Sequence, residues 1–327
     1  MEARYYKKLG EGQVECLLCP HHCRLGPGAA GRCRVRRNVD GTLTAESYSQ
    51  LVSVALDPIE KKPLFHFHPG KYIVSTGPNG CNLSCQFCQN WEISQTVLPT
   101  AQVSPAELVQ TALSNKSLGI SYTYTEPLVW FEYLLDTCAL AREKGLANVL
   151  VTNGTIEPEP LRELLPLVDA MNIDLKSMDP GFYRKVCGGD RDTVLRTIEA
   201  ARSSCWVELT NLVIPGLNDS AKDQDDLIGW VAGLDRSLPL HLSRYFPQYK
   251  MSVPTTPETT LIEFANRARE RLDYVYVGNI RLPGMEDTCC PQCRKTLVKR
   301  QGYTVKVVGI TQGACGHCGR KADFIGV

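Results

Sequence analysis

The chain has 327 residues, 43% hydrophobic and 22% charged, with 36 basic against 35 acidic side chains. At roughly 100–200 residues per domain, that length allows one large domain with small additions, or two domains, each with a sizeable core. The even charge balance argues against nucleic-acid or membrane binding through overall charge, and no run approaches the roughly 18–20 apolar residues that span a bilayer. The opening Met1-Glu2-Ala3-Arg4-Tyr5-Tyr6-Lys7-Lys8 has no apolar core behind it. A cytoplasmic protein without a secretory signal is therefore expected.

There are 15 cysteines. In a reducing compartment they point to metal or redox chemistry rather than disulfides. Twelve fall in three islands: Cys16, Cys19, Cys23 and Cys33; Cys81, Cys85 and Cys88; and Cys289, Cys290, Cys293, Cys315 and Cys318. Thiolates that close together repel one another unless a cation holds them. The isolated Cys138, Cys187 and Cys205 read as small buried hydrophobes.

In chain order, residues 1–70 form a Cys-, Gly- and Arg-rich extension that ends at the Pro69-Gly70 break. Its spacing, Cys-x2-Cys-x3-Cys-x9-Cys, can close a site of four soft ligands around structural zinc or an auxiliary iron–sulfur cluster, and spacing does not choose between them. His21 and His22 read as exposed neighbours. Arg24, Arg32, Arg34, Arg36 and Arg37 read as a solvated basic face.

Residues 71–280 alternate between short β-branched runs and longer amphipathic stretches. Strands are predicted at 71–76, 120–125, 148–152, 170–175, 206–214 and 240–245, with a last run at 274–277. The first helix starts at Ser104-Pro105, where Ser104 can cap and Pro105 suits the first helical position. Others are predicted near 128–144, 157–167, 180–204, 219–234 and 257–272, with Asn218 or Asp219, and Thr256, as caps of the last two. Six strand–helix units imply a parallel sheet, either a barrel or a doubly wound open sheet. Functional groups then belong at the carboxyl ends of the strands. Polar groups do end them: Thr125-Glu126-Pro127, Thr152-Asn153-Gly154, Asp174-Leu175-Lys176, Thr210-Asn211 and Ser243-Arg244.

The first of these strands runs into Gly77-Pro78-Asn79-Gly80 and then Cys81-Asn82-Leu83-Ser84-Cys85-Gln86-Phe87-Cys88. Three thiolates fall one short of the four that close an ordinary iron–sulfur or structural zinc site, and so leave one metal position open for chemistry. This CxxxCxxC, with aromatic Phe87 before the third cysteine, resembles the radical S-adenosylmethionine (SAM) superfamily. The resemblance implies a partial (β/α)6 TIM-like barrel over residues 71–280. Cys81, Cys85 and Cys88 would hold a [4Fe–4S] cluster whose fourth iron is chelated by SAM, and reductive cleavage would give methionine and a 5′-deoxyadenosyl radical that abstracts hydrogen. Glu126 would accept from the SAM ammonium, although Tyr124-Thr125 stand where that family has two glycines. Asp174-Leu175-Lys176 matches the Asp-x-Lys of the glycyl-radical-enzyme activase branch, with Lys176 on the SAM carboxylate and Asp174 orienting it or the ribose. Thr152 and Asn153 match the turn near the ribose, and Asn211 the polar group after the fifth strand. His241 lies several residues before the position of that branch's histidine, so that role is not carried over, and a packed strand residue is an equal reading.

The tail, 285–327, carries CPxC-x21-CxxC at Cys290, Cys293, Cys315 and Cys318, the paired-knuckle spacing of zinc ribbons and rubredoxin-like sites, with Cys289 spare. Zinc is the expected metal, and it would stabilise a segment too short for a large core. A narrower resemblance links Cys16–Cys23, the run Asp57-Pro58-Ile59-Glu60-Lys61-Lys62-Pro63-Leu64-Phe65-His66, His241–Pro247 and Val275–Asn279 to the radical SAM component of the AmmeMemoRadiSam system. It implies Memo-like and AMMECR-type partners, and the chemistry implies an electron donor such as flavodoxin or ferredoxin. Three functions follow as expectations: a radical SAM enzyme akin to the pyruvate formate-lyase activating enzymes; an activase of a glycyl radical enzyme; and an iron–sulfur electron carrier or scaffold without SAM chemistry.

Overall fold

The computed structural model describes residues 1–327. Its main sheet has eight strands: β1 (Ser53–Pro58), β2 (Tyr72–Gly77), β3 (Gly119–Tyr122), β4 (Ala147–Thr152), β5 (Ala170–Asp174), β6 (Trp206–Val213), β7 (Leu240–Arg244) and β8 (Val275–Gly278). They lie side by side in chain order, β2 to β8 parallel and β1 antiparallel against β2. A parallel sheet whose order follows the chain winds in one direction only, so the sheet curls as a partial barrel and is not doubly wound. β1 and β8 are its two edges. The interior strands are buried on both faces, as β3 and β5 illustrate, because helices cover the outside and packed side chains fill the inside.

The crossover helices are α1 (Pro105–Ser114), α2 (Phe131–Glu143), α3 (Pro158–Leu164), α4 (Arg191–Arg202), α5 (Ala221–Leu234) and α6 (Glu258–Arg269). Ser104 caps α1 in a reciprocal box with Glu107, which satisfies two otherwise orphaned backbone donors.

Several sequence expectations are corrected. The helix expected over 180–204 is broken: Pro180–Phe182 and a widened turn at Tyr183–Cys187 end at Gly188 (φ +70°), and Asp190 caps a fresh helix, α4. α5 is capped by Ser220, not by Asn218 or Asp219, because the Asn218 amide is committed to the carbonyls of Lys176 and Leu212. α6 begins after Pro257 without a side-chain cap, because the Thr256 hydroxyl is buried between the Val213 carbonyl and the Tyr245 N–H. Finally, residues 53–58 are not part of a separate extension. They supply β1, an edge strand of the barrel sheet.

The N-terminal segment shares the barrel's core through Val14, Leu18, Leu25 and Leu43, whereas the tail has a small core of its own around Cys290, Leu297, Val298 and Cys315. Arg36 does not join a solvated basic face. It is buried and binds Glu132 on α2 through two hydrogen bonds of 2.8 and 3.0 Å.

The amino end of the barrel is sealed by a polar network. Glu208 on β6 accepts from the N–H groups of Phe65 and His66, from the Trp206 indole and from His241 at 2.7 Å. His241 is thus a packed strand residue. His66 in turn bonds the Asp323 carbonyl and the Tyr276 hydroxyl (2.6 Å each) and stacks on Phe324, which docks the tail. Arg300 donates to the Phe65 carbonyl and lies 4.3 Å from the Phe65 ring centroid.

Candidate active site

At the opposite, carboxyl end of the strands a cavity of about 600 Å³ opens. Cys81, Cys85, Phe87 and Cys88 line it from the loop after β2, Glu126 from the loop after β3, and Thr152 and Asn153 from the end of β4. Asp174 and Lys176 line it from the end of β5, and Thr210 and Ser243 from β6 and β7. Asn211 does not line it. Its side-chain amide donates to the carbonyls of Leu175 and Lys176, so it shapes the turn that presents Lys176.

The cysteine loop is held from several sides. Gly80 (φ +92°) lies so close to the N-terminal segment that a Cβ there would clash with the Cys33 carbonyl oxygen. The Leu83 N–H points at Cys81 Sγ (3.4 Å), and the Asn153 amide reaches both Cys81 Sγ (3.6 Å) and Asn82 Oδ1 (2.9 Å). The N–H groups of Ser84 and Gln86 bond the carbonyls of Cys187 and Val186. Cys187 is buried, as expected, but it is not an isolated hydrophobe. Its thiol hydrogen-bonds Cys85, and that bond, with burial opposing and Lys176 assisting, pulls the Cys85 pKa down. Burial pushes the Cys81 thiol up.

Glu126 is almost wholly buried. Its carboxylate accepts from the Thr152 hydroxyl (2.6 Å), the Asn153 N–H (2.8 Å) and the Leu128 N–H (3.0 Å). None of these donors carries a charge. Burial therefore wins and pushes its pKa up to about 7, with Asp174 pushing the same way. A carboxylate has about four acceptor positions, so three donors leave one for a cationic N–H. Lys176 meets Asp174 at 2.7 Å and lies 5.8 Å from the Phe87 ring centroid. Burial opposes the Lys176 charge, but Asp174 and the nearby thiols outweigh it and push its pKa up.

Tyr124, where two glycines would be expected, takes the left-handed conformation that favours glycine (φ +70°). Such strain costs on the order of 1–3 kcal/mol and persists only where the surroundings impose it. Here the Tyr124 hydroxyl donates to Asp57 (3.0 Å) and its carbonyl accepts from Asn90.

Sequence reasoning assigned no role to three further lining residues, Lys61, Lys62 and Tyr303. Lys62 is buried against Asp57 at 2.7 Å, and Lys61 meets the other Asp57 oxygen at 2.8 Å. The charged run 57–62 was visible in the sequence; its position at the cavity wall was not. Tyr303, at the tip of the tail hairpin formed by Thr296–Gln301 and Thr304–Val307, had no sequence signal at all.

The model of the Radical SAM superfamily matches residues 76–227, the stretch from β2 into α5. The chain belongs to the radical SAM superfamily. It is 44% identical to an uncharacterized protein of Methanocaldococcus jannaschii over 99% of both chains. It is 24% identical to the pyruvate formate-lyase-activating enzyme of Streptococcus mutans, over 54% of this chain and 73% of that one. The fold resembles that of Streptococcus suis SuiB bound to S-adenosylmethionine, with a TM-score of 0.51 and 12% identity over 66% of this chain and 50% of that one.

A radical SAM chain implies an iron–sulfur cluster and SAM, and the donor set fits both. Three soft thiols on one loop suit iron, and an uncompensated carboxylate and a lysine ammonium at the same cavity suit the ammonium and carboxylate of an amino acid.

The tail cysteines form a second kind of site. Cys290 and Cys318 lie 3.6 Å apart, Cys293 and Cys315 3.6 Å apart, and all four sulfurs lie within 4.8 Å of one another. With Zn–S bonds of about 2.3 Å, a tetrahedron has edges of about 3.8 Å, so this group is dimensioned for one metal ion. Cys289 beside it is exposed. No helix of the protein is long and apolar enough to cross a membrane.

Proposed function

We propose that this protein is an enzyme that cleaves SAM reductively and uses the resulting radical to abstract hydrogen. The observation that carries this reading is the convergence of Cys81, Cys85 and Cys88 with Glu126 and the Asp174–Lys176 pair on one cavity. When bound, the cluster and SAM supply one-electron cleavage of the sulfonium to methionine and a 5′-deoxyadenosyl radical. The chain's own residues do the placing. Cys81, Cys85 and Cys88 hold the cluster and leave one iron position to the substrate side. Glu126 takes the amino group of SAM at its remaining acceptor position. Lys176, oriented by Asp174, pairs with the SAM carboxylate. Thr152 and Asn153 hold Glu126 and the cysteine loop in register, and Asn211 sets the turn below Lys176. Lys61 and Lys62 give the outer cavity wall a positive character that favours an anionic substrate group.

The test is anaerobic. Reconstituted protein reduced with dithionite should convert SAM to 5′-deoxyadenosine, and Cys85→Ala should abolish that product while keeping the fold. Turnover that survives in Cys85→Ala would remove this reading. If the intact protein holds iron yet forms no product, even with Memo-like and AMMECR-type proteins and a flavodoxin or ferredoxin supplied, the electron-carrier reading replaces it.

A narrower reading, activation of a glycyl radical enzyme, is favoured by the Asp174-Leu175-Lys176 motif and the similarity to pyruvate formate-lyase-activating enzymes. A glycyl radical doublet in the electron paramagnetic resonance spectrum of a co-incubated partner would support it.

A further inference from the structure

The N-terminal cysteines are arranged unlike the tail cysteines. Cys16, Cys19, Cys23 and Cys33 line one small cavity of about 20 Å³, together with Leu18, Gly31, Arg32, Arg36 and Val129. No three of their sulfurs come within 4.8 Å of one another, whereas all four tail sulfurs do. The catalytic cysteines share the wider spacing. One chain thus contains a four-sulfur group contracted to the edge of a single-ion tetrahedron and another spread around a central cavity. A polynuclear cluster places its thiolates on separate corner irons and requires the second arrangement; one zinc ion requires the first.

The surroundings agree. Arg36 lines this cavity and is 1% exposed. Its terminal nitrogens are committed to Glu132 and to the Arg4 carbonyl, but its Nε is buried without a partner. A buried N–H donor beside sulfur is a natural partner for a cluster's thiolates and sulfides. The Arg32 N–H already points at Cys23 Sγ (3.5 Å), and a Cβ at Gly31 would come within 3.7 Å of the same sulfur. Leu18 and Val129 keep the wall apolar.

We propose that Cys16, Cys19, Cys23 and Cys33 hold an auxiliary iron–sulfur cluster of the four-iron class, not a zinc ion. Its shell is built into the catalytic loop. His21 bonds the Asn82 carbonyl (2.7 Å), Arg32 donates to Ser84 Oγ (3.1 Å), Arg34 donates to the Ser94 carbonyl (3.3 Å), and the Cys33 carbonyl abuts Gly80. The two clusters would share a wall. The assignment is independent of the reaction proposed above, because it rests on sulfur spacing away from the SAM cavity.

The test uses the full chain with Cys81, Cys85 and Cys88 all replaced by Ala, reconstituted anaerobically with iron, sulfide and zinc all present. About four iron and four sulfide should remain per chain, with about one zinc in the tail. Dithionite should give a paramagnetic signal that added SAM leaves unchanged. Adding Cys19→Ala and Cys23→Ala to that variant should remove the iron and leave the tail zinc. A triad variant that carries two zinc ions and no iron would overturn the proposal, as would one iron without sulfide. Both readouts come from the triad variant itself, so the proposal stays testable even if the N-terminal substitutions prevent folding.

Discussion

Two glutamates show how the ends of this barrel differ. Glu126 at the carboxyl end and Glu208 at the amino end are both essentially inaccessible, and both accept at least three hydrogen bonds. Their pKa values nevertheless move in opposite directions. Glu126 meets only neutral donors and rises to about 7. At Glu208 burial also favours the neutral form, but the hydrogen bond and charge of His241, with His66 behind it, outweigh burial and hold the carboxylate below its ordinary range. A carboxylate whose cation comes from the same chain is a fastener. One whose surroundings supply dipoles but no cation is positioned for a cation from outside.

The largest expected effect comes from removing each charge in turn. Glu208→Gln leaves His241 and the Phe65 and His66 N–H groups short of acceptors in a sealed site. Breaking a buried network from one side costs about 3–5 kcal/mol, so denaturant unfolding should shift strongly and the tail should become protease-sensitive. Glu126→Gln should change stability by no more than about 1 kcal/mol, because a lost hydrogen bond is offset by no longer burying a charge. It should instead weaken SAM binding. Equal losses of stability in the two variants would erase the distinction between fastener and receptor.

This distinction also marks what the sequence could and could not reveal. Glu126, Asp174 and Lys176 stand out because a parallel β/α repeat puts its working groups just after each strand, and that rule needs only local patterns. The cysteine loop is legible for the same reason. Glu208 sits second-last in no motif, and its meaning depends on His241 and on Phe65–His66, which lie 33 and 142 or more residues away. Arg36 looked like one of five surface arginines because its partner, Glu132, is 96 residues distant. β1 escaped notice because Val54 and Leu56 are exposed on an edge strand and so lack an inward apolar face. Tyr303 reaches the cavity at the strand ends only through the docking of the tail. Whether the N-terminal cysteines suit one metal or several was likewise a matter of spacing in space.

Acid should separate the two ends further. His66 is buried at the tail junction, and burial lowers its pKa from 6.5 to about 4. Its partners fit the neutral ring: Nδ1–H donates to the Asp323 carbonyl while Nε2 accepts from the Tyr276 hydroxyl. The unfolded chain takes up this proton more readily, so the stabilisation is complete above pH 6.5 and is lost as pH falls toward 4. Glu126 behaves in the opposite way. Its folded pKa is raised from 4.5 to about 7, so its contribution is complete below pH 4.5 and disappears as pH rises toward 7. Each shift corresponds to about 3 kcal/mol, and the two nearly cancel in global stability. Locally they do not cancel. Hydrogen exchange at pH 5 should show faster opening at 65–68 and 322–325 than at pH 7, with the region from Thr123 to Asn153 unchanged or better protected. Uniform loosening of both ends would contradict the opposed shifts.

The smallest effect tests whether Glu126 is tuned by its neutral donors. Thr152→Val removes the hydroxyl at 2.6 Å and keeps the branched shape that packs at the end of β4. One neutral hydrogen bond is worth about 1 kcal/mol, and the loss falls on the ionised carboxylate, so the Glu126 pKa should rise further. The same hydroxyl accepts from the buried Gly154 N–H, a loss that does not depend on pH, so stability should fall already near pH 5, where Glu126 is mostly protonated, and by about 1 kcal/mol more at pH 8, where Glu126 is ionised. Binding of SAM should then weaken most at neutral pH and recover as pH rises and the carboxylate ionises. A pH-independent loss of binding would mean that Thr152 meets the ligand directly and does not act through Glu126.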